Sequence, residues 1–229
     1  MWDSVKDFFS YINAQGINYL VLRNYEDFER DDFLIDGHAD IDMLCSDRKH
    51  LRKILGVDEG KTPEKRVHCK ITIAGQKVPV DIRETGDGYY CREWEEDMLS
   101  KRRMYKSLCY VMDDETYFYS LIYHVLIHKY SVSPDYLVRL RRMGNELGIN
   151  DVSESKLLGI LESYMSAHNY YYTYPEACGG VLNFNNLNIN RKMFRKSYRI
   201  IIRRKFLSLK SRVKKAVKAM LRKGVSKNG

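Results

Sequence analysis

At 229 residues and 27.1 kDa, with 44% hydrophobic and 30% charged residues and only 4 Pro, the chain can bury a substantial core. That excludes a disulfide-stapled miniprotein, a disordered polymer and a fibrous repeat. The net charge of +9 is unevenly placed: residues 191–229 carry 16 Lys and Arg and no acid, which leaves 23 basic against 30 acidic residues before them. A basic, partner-seeking role therefore belongs to a C-terminal arm and not to the body.

No stretch offers the roughly 18 apolar residues of a membrane span; the best run, Tyr117 to Ile127, is short and broken by His124. The N-terminus lacks a basic segment followed by an apolar one, so no signal peptide is read and the expected location is cytoplasmic. Cys45, Cys69, Cys91, Cys109 and Cys178 form no CxxC pair, which reads as reduced thiols and argues against a zinc site.

In chain order, Val5, Phe8, Phe9 and Ile12 fall on one helical face behind an Asp3 or Ser4 cap, and Gly16 ends the helix. Ile17–Leu22 reads as a strand, followed by a charged loop to Gly37. Ala39–Cys45 alternates like a half-buried strand, and Asp47 caps a short helix with Leu51, Ile54 and Leu55 inside. Val67–Ile73 and Gln76–Arg83 form a hairpin around Ala74-Gly75, before a Gly86-Asp87-Gly88 turn. A helix near Arg92–Leu99 and a strand at Leu108–Met112 close an α/β part over residues 1–112.

The period then changes from two to 3.6. Asp113 or Asp114 caps a long helix through His128, Ser133-Pro134 opens another that holds Leu137, Leu140 and Met143, and a third spans Lys156–Ala167. Residues 113–190 are therefore expected to form a helical domain, with the Tyr-rich stretch 169–175 and the Asn-rich stretch 183–190 as surface connections. Residues 191–229 are a basic tail in which Phe194, Tyr198, Ile201, Ile202, Leu209, Val213, Val217 and Leu221 make an apolar stripe at near-helical spacing.

The chemistry concentrates on two strands. Asp40 and Asp42, two residues apart, share one face with Leu44, and Asp81 lies with Arg83 on one face of the run Val78–Arg83. Pairing the strands brings three carboxylates together. Such a cluster repels itself unless a cation joins it, and hard oxygen ligands suit Mg²⁺ or Mn²⁺ in two-metal phosphoryl or nucleotidyl transfer.

A helix, a strand, a loop, then Asp40-Ile41-Asp42 between apolar residues and a later strand bearing Asp81 resembles the DNA polymerase β-type nucleotidyltransferase superfamily. The likeness is greatest to nucleotidyltransferase-like proteins of bacterial surface-polysaccharide clusters, and it covers roughly Trp2 to Leu140. The resemblance implies an α+β fold with a nucleotidyltransferase-like mixed sheet, then a helical domain and the basic amphipathic helix. It also implies metal binding and catalysis by Asp40, Asp42 and Asp81. Where the superfamily carries Gly-Ser or Gly-Gly after the first strand, this chain has Arg23-Asn24. Arg23 can hold phosphate through its fork of donors. The donor is then a nucleoside triphosphate, a sugar-nucleotide or an activated alcohol phosphate of the kind used by choline-phosphate transferases and fukutin-type proteins.

Other candidate substrate contacts are Asn24, Arg83, His38, His124 and Lys129. Arg83 either neutralises Asp81 or Asp42 or meets phosphate. His124 and His128 stand at i and i+4 without a HExxH glutamate, so a packed histidine is favoured over a metal ligand there. His38 either orients substrate or lies on the surface.

The expected function is a metal-dependent transferase moving a nucleotidyl or phospho-alcohol group onto a glycan or small-molecule acceptor, held at an anionic membrane surface by residues 191–223. The apolar stripe favours lipid over nucleic acid. The alternative is a non-catalytic binding protein of the same fold that uses its tail on nucleic acid or membrane.

Overall fold

The computed structural model describes residues 2–29, 34, 39–177 and 182–195. His38 and residues 196–229, and with them nearly all of the basic tail, lie outside the described residues. The chain divides into a compact unit ending at Phe194 and a second that begins at Arg195.

The first unit is an α+β structure: a six-stranded mixed sheet followed by a helical region. Helix α1 (Val5–Ala14) starts where the Ser4 side chain accepts the Asp7 amide, and it buries Val5, Phe8, Phe9 and Ile12. Strands β1 (Tyr19–Val21) and β2 (Ile41–Cys45) follow, then helix α2 (Arg48–Ile54), capped by Asp47. A short helix α3 (Pro63–Val67) leads into the hairpin β3 (His68–Ile73) and β4 (Gln76–Glu84). Its turn residues Ala74 and Gly75 have φ of 47° and 77°, the two left-handed positions of a tight hairpin turn.

Helix α4 (Arg92–Ser100) and a second hairpin, β5 (Arg103–Tyr105) and β6 (Cys109–Val111), complete the sheet. The strand order is β3-β4-β2-β1-β6-β5; β2 runs parallel to β4, and β1 antiparallel to β2 and parallel to β6. Helix α5 (Asp114–Ile127) is apolar around nearly its whole circumference and buried from Thr116 onward except at Tyr119. It packs against α6 (Pro134–Glu146) and α7 (Leu157–Ala167).

Three sequence expectations need correction. The strand carrying the paired aspartates begins at Ile41, not Ala39, because its ladder with β4 starts at Ile41 opposite Val80. The residue before Val80 is Pro79, which has no amide hydrogen to extend the ladder. The helix α3 and strand β5 are additional to the predicted elements. Residues 169–175, expected on the surface, are largely buried, with Tyr170 and Tyr172 in the core, whereas 183–190 bury Asn183, Phe184 and Ile189 but keep Asn185, Asn186, Asn188 and Asn190 exposed as expected. Tyr170 stacks on Trp94 with ring centres 5.1 Å apart, and the Asn183 side-chain amide donates to the carbonyls of Leu126 and Lys129 at the end of α5.

Candidate active site

The parallel register of β2 on β4 sets Asp42 directly beside Asp81, and the antiparallel hairpin sets His68 beside Asp81 on the other side. His68, Asp81 and Asp42 therefore form a row across three strands on one sheet face. Asp40 lies one residue before β2 and is exposed, on the side of Asp42. Of the three carboxylates read from the sequence, the register places Asp42 and Asp81 side by side, and Asp40 precedes the strand of Asp42 by one residue.

Each inner carboxylate meets a basic side chain. Arg23, two residues beyond β1, donates from Nε to Asp42 Oδ2 at 2.9 Å, and His68 Nδ1 lies 2.5 Å from Asp81 Oδ1. Burial raises the Asp42 carboxyl to about 6 even though Arg23 opposes it. Burial works against the Arg23 charge, but Asp42 outweighs it and raises the guanidinium further. Burial also opposes Asp81 ionisation, and the His68 hydrogen bond overcomes it, so Asp81 sits below its ordinary range. That bond to Asp81 in turn raises His68. Asp40 is raised by desolvation and by Asp81, while Arg23 and Lys129 pull it down.

Three carboxylates offer the hard oxygen donors that a divalent cation takes. Among the described residues no three His, Cys, Asp or Glu side chains are drawn together at metal-binding spacing. One oxygen of Asp42 is committed to Arg23 and one of Asp81 to His68.

Tyr89, absent from the sequence expectations, links the other candidates. It is 5% exposed. Its hydroxyl accepts from Arg23 Nη1 at 3.3 Å and lies 2.8 Å from His124 Nδ1, and its ring stacks on His128 at 4.1 Å with 3° between planes. The Arg83 guanidinium covers the ring at 4.3 Å and donates to the Ala177 carbonyl at 2.9 Å. Arg83 is also 3.8 Å from Asp87, so its described partners are structural. Arg23 can only donate, so the Tyr89 proton is assigned to the bond with His124 Nδ1, which puts the imidazole proton on Nε2. That nitrogen is buried, and no partner for it is found among the described residues.

The turn that presents Tyr89 is held from behind. Glu95 on α4 is fully buried and accepts the amides of Gly86 at 2.6 Å and Tyr90 at 3.1 Å, while Asp87 Oδ1 accepts that of Tyr89 at 3.0 Å. Asn24, expected near phosphate, has φ 59° and is tied by its amide to the Tyr117 hydroxyl and by its side-chain oxygen to Arg139. Lys129 is exposed just beyond α5.

His124 carries a pH prediction. Burial, then the charge of Arg23, holds it well below 6.5 in the folded chain. The unfolded chain binds that proton first, so stability falls as pH drops below about 6.5. Replacing His124 with Gln removes this term: between pH 6.5 and 5.5 the wild type should lose about 1 kcal/mol relative to the variant. Urea unfolding of both proteins at the two pH values checks it, and parallel losses would count against the assignment.

No family model matches the chain, and a search of curated proteins found none similar to it.

Proposed function

We propose that the protein is a metal-dependent transferase of nucleotidyltransferase type, moving a nucleotidyl or phospho-alcohol group onto a glycan or small-molecule acceptor, in surface-polysaccharide assembly at the cytoplasmic membrane face. The observation that carries this reading is the register pairing of Asp42 with Asp81, with Asp40 beside them and Arg23 and Lys129 as the nearby cations. Asp40, Asp42 and Asp81 are the residues to hold Mg²⁺ or Mn²⁺, which would supply charge neutralisation on the donor phosphates and activation of the acceptor oxygen.

In this reading the acceptor oxygen forms a bond to the donor phosphorus. The phosphoanhydride bond to the leaving pyrophosphate or CMP breaks with its electron pair, and the hydroxyl proton passes to solvent. Asp81, kept ionised by His68, serves as a ligand better than as a base. Arg23 balances Asp42 and offers its remaining donors to the departing phosphate, with Tyr89 fixing its orientation.

Incubation with nucleoside triphosphates and CDP-alcohols in the presence of Mn²⁺ tests the reading. Release of pyrophosphate or CMP is expected, and its absence with every donor would refute it. The Arg23–Asp42 pair also favours a second reading, a non-catalytic binding protein whose own guanidinium takes the place of a metal.

No helix among the described residues is long and apolar enough to cross a membrane. We attribute membrane association to the basic segment 191–223. Each engaged Lys or Arg contributes on the order of 1 kcal/mol at an anionic surface. Full-length protein should float with vesicles containing phosphatidylserine, whereas a chain ending at residue 190 should not. Equal recovery of the two would remove the membrane role.

A further inference from the structure

Behind the acidic row, at the outer edge of the sheet, lies a groove of about 1000 Å³, at the upper end of small-molecule sites. Its lining combines Arg52, Lys61, Lys65 and Lys70 with His68, the residue that holds Asp81. The acids on its wall are Asp58 and Glu59, and Glu59 is already paired with Lys49 at 3.3 Å.

Arg52 is the informative residue. It is 4% exposed, yet its described partners are uncharged: the carbonyl oxygens of Asp58, 2.6 Å from Nε, and of Arg66, 2.9 Å from Nη1, and the side chain of Cys69. Among the described residues neither Arg52 nor Lys61, Lys65 or Lys70 makes an ion pair. A buried guanidinium without a carboxylate is costly unless something outside the protein offsets its charge.

The wall is also sterically constrained. Gly60 has φ 75°, and a Cβ there would lie 2.4 Å from the Lys65 carbonyl oxygen, so the loop carrying Lys61 is pressed onto the helix carrying Lys65. Lys61 and Lys65 are thereby held on the same wall. On β3, Lys70 follows His68 by two residues and shares its face, leading from the groove toward Asp81.

We propose that this groove seats the acceptor, and that the acceptor carries an oxyanion, phosphate or carboxylate, which Arg52 and the three lysines recognise. This rests on the transferase reading for the word acceptor, but not for the binding itself. The oxyanion occupies the cationic rim and the rest of the molecule extends past His68 to bring a hydroxyl beside Asp81.

The test is an NMR titration of the full-length protein with glucose 6-phosphate, glucuronate and glucose. The two anions separate a phosphate from a carboxylate requirement, and glucose is the uncharged control. At least one anion should shift the amides of residues 61–70 and the His68 ring, and bind at least about tenfold more tightly than glucose. Lys65→Glu with Lys70→Glu, both exposed positions, should abolish that preference without moving the melting temperature, whereas Asp42→Asn should leave it intact. Shifts that are absent, equal for glucose, or insensitive to the charge reversal would overturn the proposal. Groove binding that persists in a protein inactive with every donor would refute the transferase reading alone. Transferase activity without anion binding in the groove would refute the groove alone.

Discussion

Replacing Asp42 with asparagine is expected to slow transfer at least about a hundredfold, roughly 3 kcal/mol of barrier, once a donor is identified. Asn keeps the shape and one acceptor oxygen for Arg23 but removes the negative charge that would compensate a divalent cation. Asp42 is 6% exposed and Arg23 is its ion-pair partner at 2.9 Å, so the variant also leaves a buried guanidinium with a weaker partner. Rate and folding must therefore be read together. Initial rates under saturating Mn²⁺, on protein whose circular dichroism and melting curve are recorded alongside, separate the two. Asp81→Asn should behave similarly in rate, since Asp81 is the register partner of Asp42. A rate within about threefold of wild type, less than roughly 1 kcal/mol, would remove the carboxylates from the mechanism.

The largest stability effect is expected away from the carboxylates. Glu95→Ala leaves the amides of Gly86 and Tyr90 without their acceptor in a fully buried place, a cost of about 2–5 kcal/mol. Burial, and then the charge of Asp87, pushes the Glu95 carboxyl well up, so it serves as a buried acceptor and not as a surface ion. Glu95→Gln retains one oxygen and should lose about half as much. Because the same turn carries Tyr89, the alanine variant should also loosen the hold on Arg23 and weaken donor binding. Urea midpoints of the three proteins measure the first effect. A loss under about 1 kcal/mol for the alanine variant would show that water replaces the carboxylate at little cost.

Much of the acidic row was legible in the sequence. Ala74-Gly75 as a two-residue hairpin turn sets the pairing of its flanking strands, and that register carries back to His68 opposite Asp81. The pairing of His68 with Asp81 was therefore readable, but only for a reader who counted outward from the turn. The face shared by Asp40 and Asp42 followed from strand alternation, as did the buried stripe of α1 from helical spacing. The strand limit at Ile41 depended on Pro79 in a different strand, a non-local constraint that period-two reading of residues 39–45 does not contain.

Tyr89 and the 170–177 segment were not legible for a different reason. Neither has a period, and their positions are set by tertiary partners: Glu95 holds the turn before Tyr89, while Glu176 binds Arg48 at 3.4 Å and also pairs with Arg66. Tyrosines in an aperiodic run look like surface residues until a tryptophan such as Trp94 offers a ring to stack on. Strand β5 escaped notice because Arg103 and Met104 are exposed, so it has no buried alternation to detect.

Whether the acidic row takes a divalent cation decides between the transferase and the Arg23-neutralised binding protein. Titration of full-length protein with Mn²⁺, with free ion followed by electron paramagnetic resonance, measures this directly. The expected result is saturable binding by the wild type that weakens at least about tenfold in both Asp42→Asn and Asp81→Asn. Binding that is absent in the wild type, or equal in all three proteins, would contradict the metal-dependent account.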